Sequence, residues 1–475
     1  MVAHELHPVT VWNTMSRSKE FFTPLHKGEM HFYSCGPTVY HYAHIGNLRT
    51  YIFNDLLKRV FLAAGYRVTQ VMNITDVGHL TSDADEGEDK MEKGARREGK
   101  SVWDVAQYYT DAFFRDTTAL NIIPPEPKYV CKATDHIPEQ IAQVQAIMNA
   151  GYAYVIDDGV YFDTAKLHDY GKLARLDVES LKAGARIEVA AGKRNPTDFA
   201  LWKFSPKGEQ RQMEWDSPWG RGFPGWHIEC SAMATKYLGS HFDIHTGGID
   251  HIAVHHTNEL AQAEAAGMHH WVNYWMHGEF LVIKSDAGAA DKMAKSGDNF
   301  LTLSVLVEKG YDPLAYRYLC LGTHYRKQLS FSWEAMDGAQ NSLTGLRNKV
   351  FALRGKSDVG DAGACASFER LFLDAITDDL NLSAALSVLY DALGDERLGA
   401  ADKYALALHC DAVLGLGLAA VGAETIPAAV QHLVDKREEV RAVKNWKHSD
   451  ELRDEIAALG FEVRDTPQGP VVRPK

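Results

Sequence analysis

The stretch that decides the fold is His31-Phe-Tyr-Ser-Cys-Gly-Pro-Thr-Val-Tyr-His-Tyr-Ala-His-Ile-Gly-Asn47. Its first five residues read as a short strand, because aromatic residues favour a pleated surface and Gly36-Pro37 stops the run. From Leu48 the spacing turns helical, with Leu48, Ile52, Leu56, Val60 and Ala64 on one apolar stripe and Gly65 where a helix ends. Cys35 therefore falls at a strand's C-terminal end, and His44-Ile-Gly-Asn47 at the mouth of the next helix. A helix N-terminus offers unpaired N–H groups and a partial positive charge, which suits a phosphate. Gly46 has no side chain to hold that phosphate off.

Upstream, residues 9–13 predict an edge strand. Downstream, residues 67–73 predict a second core strand, and strand, helix, strand in this order make a parallel βαβ unit. That strand ends in Asn73-Ile-Thr-Asp76, at the sheet edge where such folds bind ligands. The charged run Asp85-Glu-Gly-Glu-Asp-Lys90 predicts a solvated loop joined to a helix. Residues 103–120 and 137–150 predict helices. Between 152 and 212, short alternating strands such as 160–162 and 199–202 read as an inserted subdomain. The α/β pattern returns with a helix over 226–238 that puts Trp226, Cys230, Met233 and Tyr237 on one face. A strand over 241–245 follows, then a helix through His255 and Glu259. Gly278 and Gly288 bracket a hairpin arm at 280–283 that leads to Lys292-Met-Ala-Lys-Ser296. Beyond residue 316 the spacing is mostly helical, over 368–393, 402–416 and 428–442, which predicts a bundle. The tail predicts one more charged helix and a strand at 461–464.

A chain of 475 residues exceeds one ordinary core and predicts about three domains. Hydrophobic residues at 45% and charged ones at 24% fit a water-soluble globular protein. No apolar run approaches a membrane span, and the N-terminus lacks a basic segment followed by an apolar one, so no secretory signal is read. Six scattered cysteines make no disulfide framework and point to a reducing cytosol. A net charge of −13 argues against a general nucleic-acid coat, but leaves room for a focused basic stripe.

His255 and Glu259 are four apart on a predicted helix and project from one face. With Cys35 and Cys230 they make a zinc-type donor set. Spacing alone leaves the alternative open: buried, unliganded cysteines beside a solvated histidine cluster. His251 and His256 compete as ligands. Lys292 and Lys295 offer two ammonium groups on a loop; alone these are ordinary surface lysines, but nucleotide chemistry needs cations on both sides of the phosphates. Trp226 and His227 read as a core and a surface residue.

His44-Ile-Gly-Asn47 and Lys292-Met-Ala-Lys-Ser296 resemble the HIGH and KMSKS signatures of class I aminoacyl-tRNA synthetases. Cys35-Gly-Pro-Thr-Val-Tyr40, Asn73-Ile-Thr-Asp76, Phe223-Pro-Gly-Trp-His-Ile-Glu-Cys-Ser231 and His255-His-Thr-Asn-Glu259 narrow the resemblance to the cysteinyl-tRNA synthetase family. It extends to Asn195-Pro-Thr-Asp-Phe-Ala-Leu-Trp-Lys203, Asn445-Trp-Lys-His-Ser-Asp450 and Asp465-Thr-Pro-Gln-Gly469, so nearly the whole chain is covered.

The resemblance implies a Rossmann-type parallel-sheet catalytic domain in two halves, 1–125 and 223–310, split by a connective insertion at 126–222. A stem-contact region at 311–360, a helical anticodon-binding bundle at 361–425 and a small C-terminal α+β domain at 426–475 follow. It implies cysteine, ATP and tRNA(Cys) as partners, one zinc ion per chain on Cys35, Cys230, His255 and Glu259, and Mg2+ with the ATP. It implies a cytoplasmic monomer with no membrane contact. His44, Asn47, Lys292 and Lys295 are the catalytic candidates. Gly36, Thr38, Gly46, Thr75, Trp226, His245, Asp250 and Lys295 are those for ATP and the amino acid. Zinc with two protein thiolates suits a substrate thiolate and disfavours serine's hydroxyl, a discrimination large enough to need no editing domain.

Several residues depart from the family pattern. Ala294 replaces a serine, 285–290 reads as extra loop, Thr257 stands where an acidic residue is common, and Asn47 replaces the second histidine of the first signature. Two other readings compete: a cysteine-activating ligase with an amino-sugar acceptor, and a non-catalytic paralogue that binds tRNA or zinc. The first of these enzymes is truncated at the anticodon end, whereas this chain runs on to Lys475. Intact His44, Lys292 and Lys295 weigh against the second.

Overall fold

The computed structural model describes residues 6–78, 89–176, 192–206, 208, 211–284, 290–292, 300–419, 428–442, 445–466 and 469–474. Five parallel strands form the central sheet, in the order Val272–Gly278, Phe242–Gly248, Glu29–Ser34, Arg67–Ile74, Val130–Lys132. The strand of the deciding stretch is in the middle, buried on both faces, which is why it reads as nearly continuous apolar and aromatic sequence. Its βαβ partner is the helix Ile45–Ala63, whose stripe of Leu48, Ile52, Leu56 and Val60 is buried. Gly65, at φ 92°, turns the chain out of that helix into the next strand, Arg67–Ile74.

The N-terminal strand Thr10–Asn13 is present but pairs with Ser18–Phe21 as a two-stranded antiparallel ribbon beside the sheet, with one parallel bridge from Thr10 to Asp378. It is no edge strand of the central sheet. Asn13 turns the chain back instead: its side chain accepts from Met15 N and Trp275 N and donates to Asn273 O. The insertion holds an antiparallel sheet of Ala153–Ile156, Gly159–Phe162, Phe199–Phe204 and Gly222–Pro224, whose apolar core around Val160, Phe162, Leu201 and Trp202 continues into Ile228, Ala261 and Ala265 of the catalytic half. The arm after Gly278 is the strand Leu281–Lys284, paired antiparallel to Ala290–Lys292 and parallel to Leu329–Phe331. The run 85–88, the loop 285–289 and residues 293–296, Lys295 among them, lie outside the described residues.

One long helix over 368–393 is not formed. Ala362–Thr377 ends and Leu382–Gly394 begins around Asp379 and Leu380, both at positive φ (57° and 55°). The side chain of Asp379 explains the break. Its buried carboxylate accepts from Trp12 N, Tyr325 Oη and the Arg326 guanidinium, contacts no continuous helix would permit. Asn381 then caps the second helix.

A buried ionic joint ties the helices to the sheet domain. Arg317, fully buried, donates to Asp55 Oδ2 at 2.5 Å and to Leu414 O at 2.7 Å. Arg59 donates to the same carboxylate at 2.8 Å and to Ala412 O at 2.7 Å. Gly415 (φ 67°) lies against it, since a Cβ there would come within 2.7 Å of the Arg317 guanidinium. The tail pairs Ala428–Ala442 with Trp446–Ala458 and adds a hairpin, Phe461–Thr466 with Gly469–Pro474, around a small core of Val430, Val434, Ile456 and Val463.

Candidate active site and metal cluster

The site grows from the C-terminal edge of the sheet, where two strand ends are sewn together beyond their last residues. Gly36 N donates to Asn73 Oδ1 at 2.8 Å, Val39 N to Thr75 O at 3.1 Å, and Thr75 N to Pro37 O at 3.0 Å. A Cβ on Gly36 would sit 1.6 Å from Asn73 O, so this approach requires glycine. Thr38 and Thr75 form an isolated bridge, which fixes the lip that follows Cys35.

The helix start is a reciprocal cap. Asn47 N donates to His44 Nδ1 at 3.0 Å, and His44 N donates to Asn47 Oδ1 at 3.3 Å. Asparagine here does what the capping box asks of its third helical residue. Gly46 lies tight under the His44 ring, 3.0 Å from where its Cβ would stand. A cleft of about 250 Å³ opens beside this cap. Cys35, Gly36, Thr38, Asn47, Trp226, Asp250 and His251 share its wall with Tyr40, Tyr109 and Phe113. Of the remaining candidates, Thr75 is buried behind the lip and donates to Glu229 Oε2 at 3.0 Å. Burial pushes the Glu229 carboxyl well above its ordinary range.

Beneath the cleft, Cys35, Cys230, His255 and Glu259 converge from a strand end and two helices, with one donor atom of each lying within 4.8 Å of the others. His255 Nε2 is 3.0 Å from Glu259 Oε1, and Cys35 Sγ is 4.0 Å from the same oxygen. Helical spacing of four puts His255 and Glu259 on one face, and burial of that face turns both under the sheet edge. The electrostatics prepare these donors. Contact with the Cys35 thiol lowers Cys230 to about 7, His255 adding to it against the effect of burial. Burial, then the bond to Cys230, keeps Cys35 protonated well above its usual range. Burial opposes ionisation of Glu259, yet His245 and His255 hold it down to about 2. Two sulfurs, an imidazole and a carboxylate at this separation fit a tetrahedral dication of the zinc type.

A second donor set overlaps the first: Cys35, His245, His256 and Glu259. His245 Nε2 is 2.9 Å from Glu259 Oε2, and His256 Nε2 is 3.3 Å from Cys35 Sγ. His245 and His256 are both fully buried and neither lines the cleft. His256 continues into a chain, Nδ1 to His277 Nε2 at 2.8 Å and His277 Nδ1 to Thr14 Oγ1 at 2.8 Å. Burial lowers His256 and His277, and brings His251 down to about 4, so these rings stay neutral.

His227 is not at the surface. It is 2% exposed and its Nδ1 lies 2.8 Å from Nδ1 of His255, so it braces that ring from behind. It sits one turn before Cys230 on the same helix, and that spacing was the available signal. The side chain of Lys292 and all of Lys295 lie outside what the structure describes, so only the main chain of Lys292, paired with Val282, is placed.

This parallel sheet, with a capped helix start at its edge, belongs to the class I aminoacyl-tRNA synthetases. A family model described as tRNA synthetases class I (C) catalytic domain matches residues 21–341, and one described as cysteinyl-tRNA ligase anticodon binding domain matches 423–473. Cysteine–tRNA ligase 1 of Burkholderia lata is 54% identical over 97% of this chain and 96% of its own. The cysteine–tRNA ligase of Novosphingobium aromaticivorans is 47% identical over 96% and 95%. The methionyl-tRNA synthetase of Mycobacterium tuberculosis, solved with methionyl-adenylate, shares the fold at TM-score 0.54 and 16% identity, over 82% of this chain and 90% of that one. The chain belongs to the cysteine–tRNA ligase family and is an enzyme of that kind.

Proposed function

We propose that the chain activates cysteine with ATP and transfers it to tRNA(Cys), and that the buried cluster under the cleft selects the amino acid. The observation that carries this reading is the position of the cluster: Cys35 is at once a donor and part of the cleft wall that begins at Asn47. Zinc is assigned to Cys35, Cys230, His255 and Glu259 because this set has two sulfurs, whereas the overlapping set, which shares Cys35 and Glu259 with it, has one. A zinc ion held by the two-sulfur set would supply a soft partner for the substrate thiol that serine's hydroxyl cannot match.

The chain's own groups do the rest. The helix start at His44–Asn47 presents its partial positive charge to the ATP phosphates, accompanied by Mg2+, while the main-chain N–H groups of His44, Ile45 and Asn47 are held by Asn47 Oδ1, Leu301 O and His44 Nδ1. Asn47 Oδ1 is committed to the cap, so its amide N–H2 is the donor for phosphate. Lys292 and Lys295 are assigned to the far side of the phosphates, Lys295 to ATP itself. Trp226 and Asp250, which line the same cleft, shape the amino-acid site, with the buried Thr75 and His245 in support. The cysteine carboxylate attacks the α-phosphate and pyrophosphate leaves. A hydroxyl of the terminal tRNA adenosine then takes the cysteinyl group and AMP departs. Positioning and charge stabilisation carry both steps. Anticodon binding is assigned to the helical bundle of 361–425 together with the tail at 423–473 that matches the anticodon-binding model.

The test is cysteine-dependent ATP–pyrophosphate exchange, followed by charging of tRNA(Cys), with metal analysis of the same preparation. Exchange, charging and about one zinc per chain are expected. Exchange without charging would favour the amino-sugar ligase. No exchange with metal present would favour the non-catalytic paralogue.

A further inference from the structure

Arg49 lies on the helix Ile45–Ala63, two residues past Asn47, and is 5% exposed. Its guanidinium reaches main-chain carbonyls on two separate segments. Nη1 donates to Glu279 O at 2.7 Å and to Phe280 O at 2.6 Å; Nη2 donates to His324 O at 3.3 Å and to Lys327 O at 2.6 Å. Glu279 and Phe280 are the step by which the chain leaves the central sheet after Gly278 and enters the arm strand Leu281–Lys284. The other segment leads into Leu329–Phe331, which pairs with that arm, and Leu329 N donates to Phe280 O at 3.0 Å. At the helix start itself, Leu281 Cβ stands 3.8 Å from where a Cβ on Gly46 would be. A buried charge costs several kcal/mol unless its donors are used, and here both ends of one planar fork are spent on placing a strand.

We infer that Arg49 is a positioning residue for the phosphate chemistry. It holds the root of the arm against the helix start that carries His44 and Asn47, and so sets where the chain arrives at Lys292, opposite Val282. The inference rests on the reaction assigned above. A lysine cannot reproduce it, because one ammonium on a flexible stem does not bridge two pairs of carbonyls.

The test is cysteine-dependent exchange by the full-length protein and its Arg49→Lys variant, with zinc content and melting temperature measured alongside. The expected result is a rise of about tenfold or more in KM for ATP, the scale of one lost charged hydrogen bond. KM for cysteine and zinc content should stay within about twofold. A merely structural role would lower the melting temperature and leave the two KM values moving together. Leu281→Ala leaves the clamp intact and loosens the strand on Gly46, so it tests the same claim should Arg49→Lys not fold; a rise confined to KM for ATP is again expected. If both constants are unchanged, or shift equally, in the variants that fold, Arg49 has no positioning role. Absence of exchange in the wild-type protein would instead overturn the assigned reaction, and this inference with it.

Discussion

Single side chains here have separable jobs. Cys230→Ser removes a sulfur donor and its low-lying thiol, so zinc content should fall well below one per chain and the cysteine requirement for exchange should rise sharply; full cysteine affinity in a zinc-free variant would remove the cluster from the amino-acid site. His227→Ala leaves all four donors but frees the His255 ring, and should weaken zinc about ten- to a hundredfold, read by competition with a chelator. Away from the site, burial pushes the Asp116 carboxyl up to about 6. A carboxyl raised in the folded state stabilises below its unfolded value and loses that contribution as pH rises through the folded one. Asp116→Asn should therefore gain about 1 kcal/mol at pH 7.5, discounted for partial exposure, and nothing near pH 3. Thermal melts at the two pH values check the sign.

Elements are where sequence reading works well and where its limits show. The helix Ile45–Ala63 was legible because one face is apolar at 3.6-residue spacing, and His255 with Glu259 because a single helix turn relates them. His245 and His277 come from neighbouring parallel strands, and His256 meets them only through the packing of a helix on the sheet, so no local spacing announces their cluster. The break at Asp379 was hidden for a related reason. The periodicity runs through it, and the partners that force it, Trp12 and Tyr325, are remote in sequence. The joint at Asp55 is of the same long-range kind. Asp55→Ala should cost about 3–5 kcal/mol, because it leaves two buried guanidinium groups without their carboxylate. Denaturant unfolding followed by circular dichroism would measure it, and a loss under 1 kcal/mol would show that the joint is solvated.

At the scale of the molecule, the parts differ in how tightly they are bound to one another. The tail after residue 428 has its own small core. A chain ending at residue 425 should keep cysteine-dependent exchange and lose most charging of tRNA(Cys). Equal loss of both would mean that the tail is needed for the sheet domain to fold. Among the described residues, no helix is long and apolar enough to cross a membrane.

The Arg317 joint has a practical consequence for recombining relatives of this family. Its carboxylate and one guanidinium come from the first helix of the sheet domain, the second guanidinium from beyond residue 310, and the glycine that makes room for it from beyond residue 410. A crossover between two parents anywhere from 59 to 415 separates members of one matched set. Hybrids joined there would inherit a cation from one parent and its counter-ion or clearance from the other, whereas a seam placed after residue 419 hands the whole set down together.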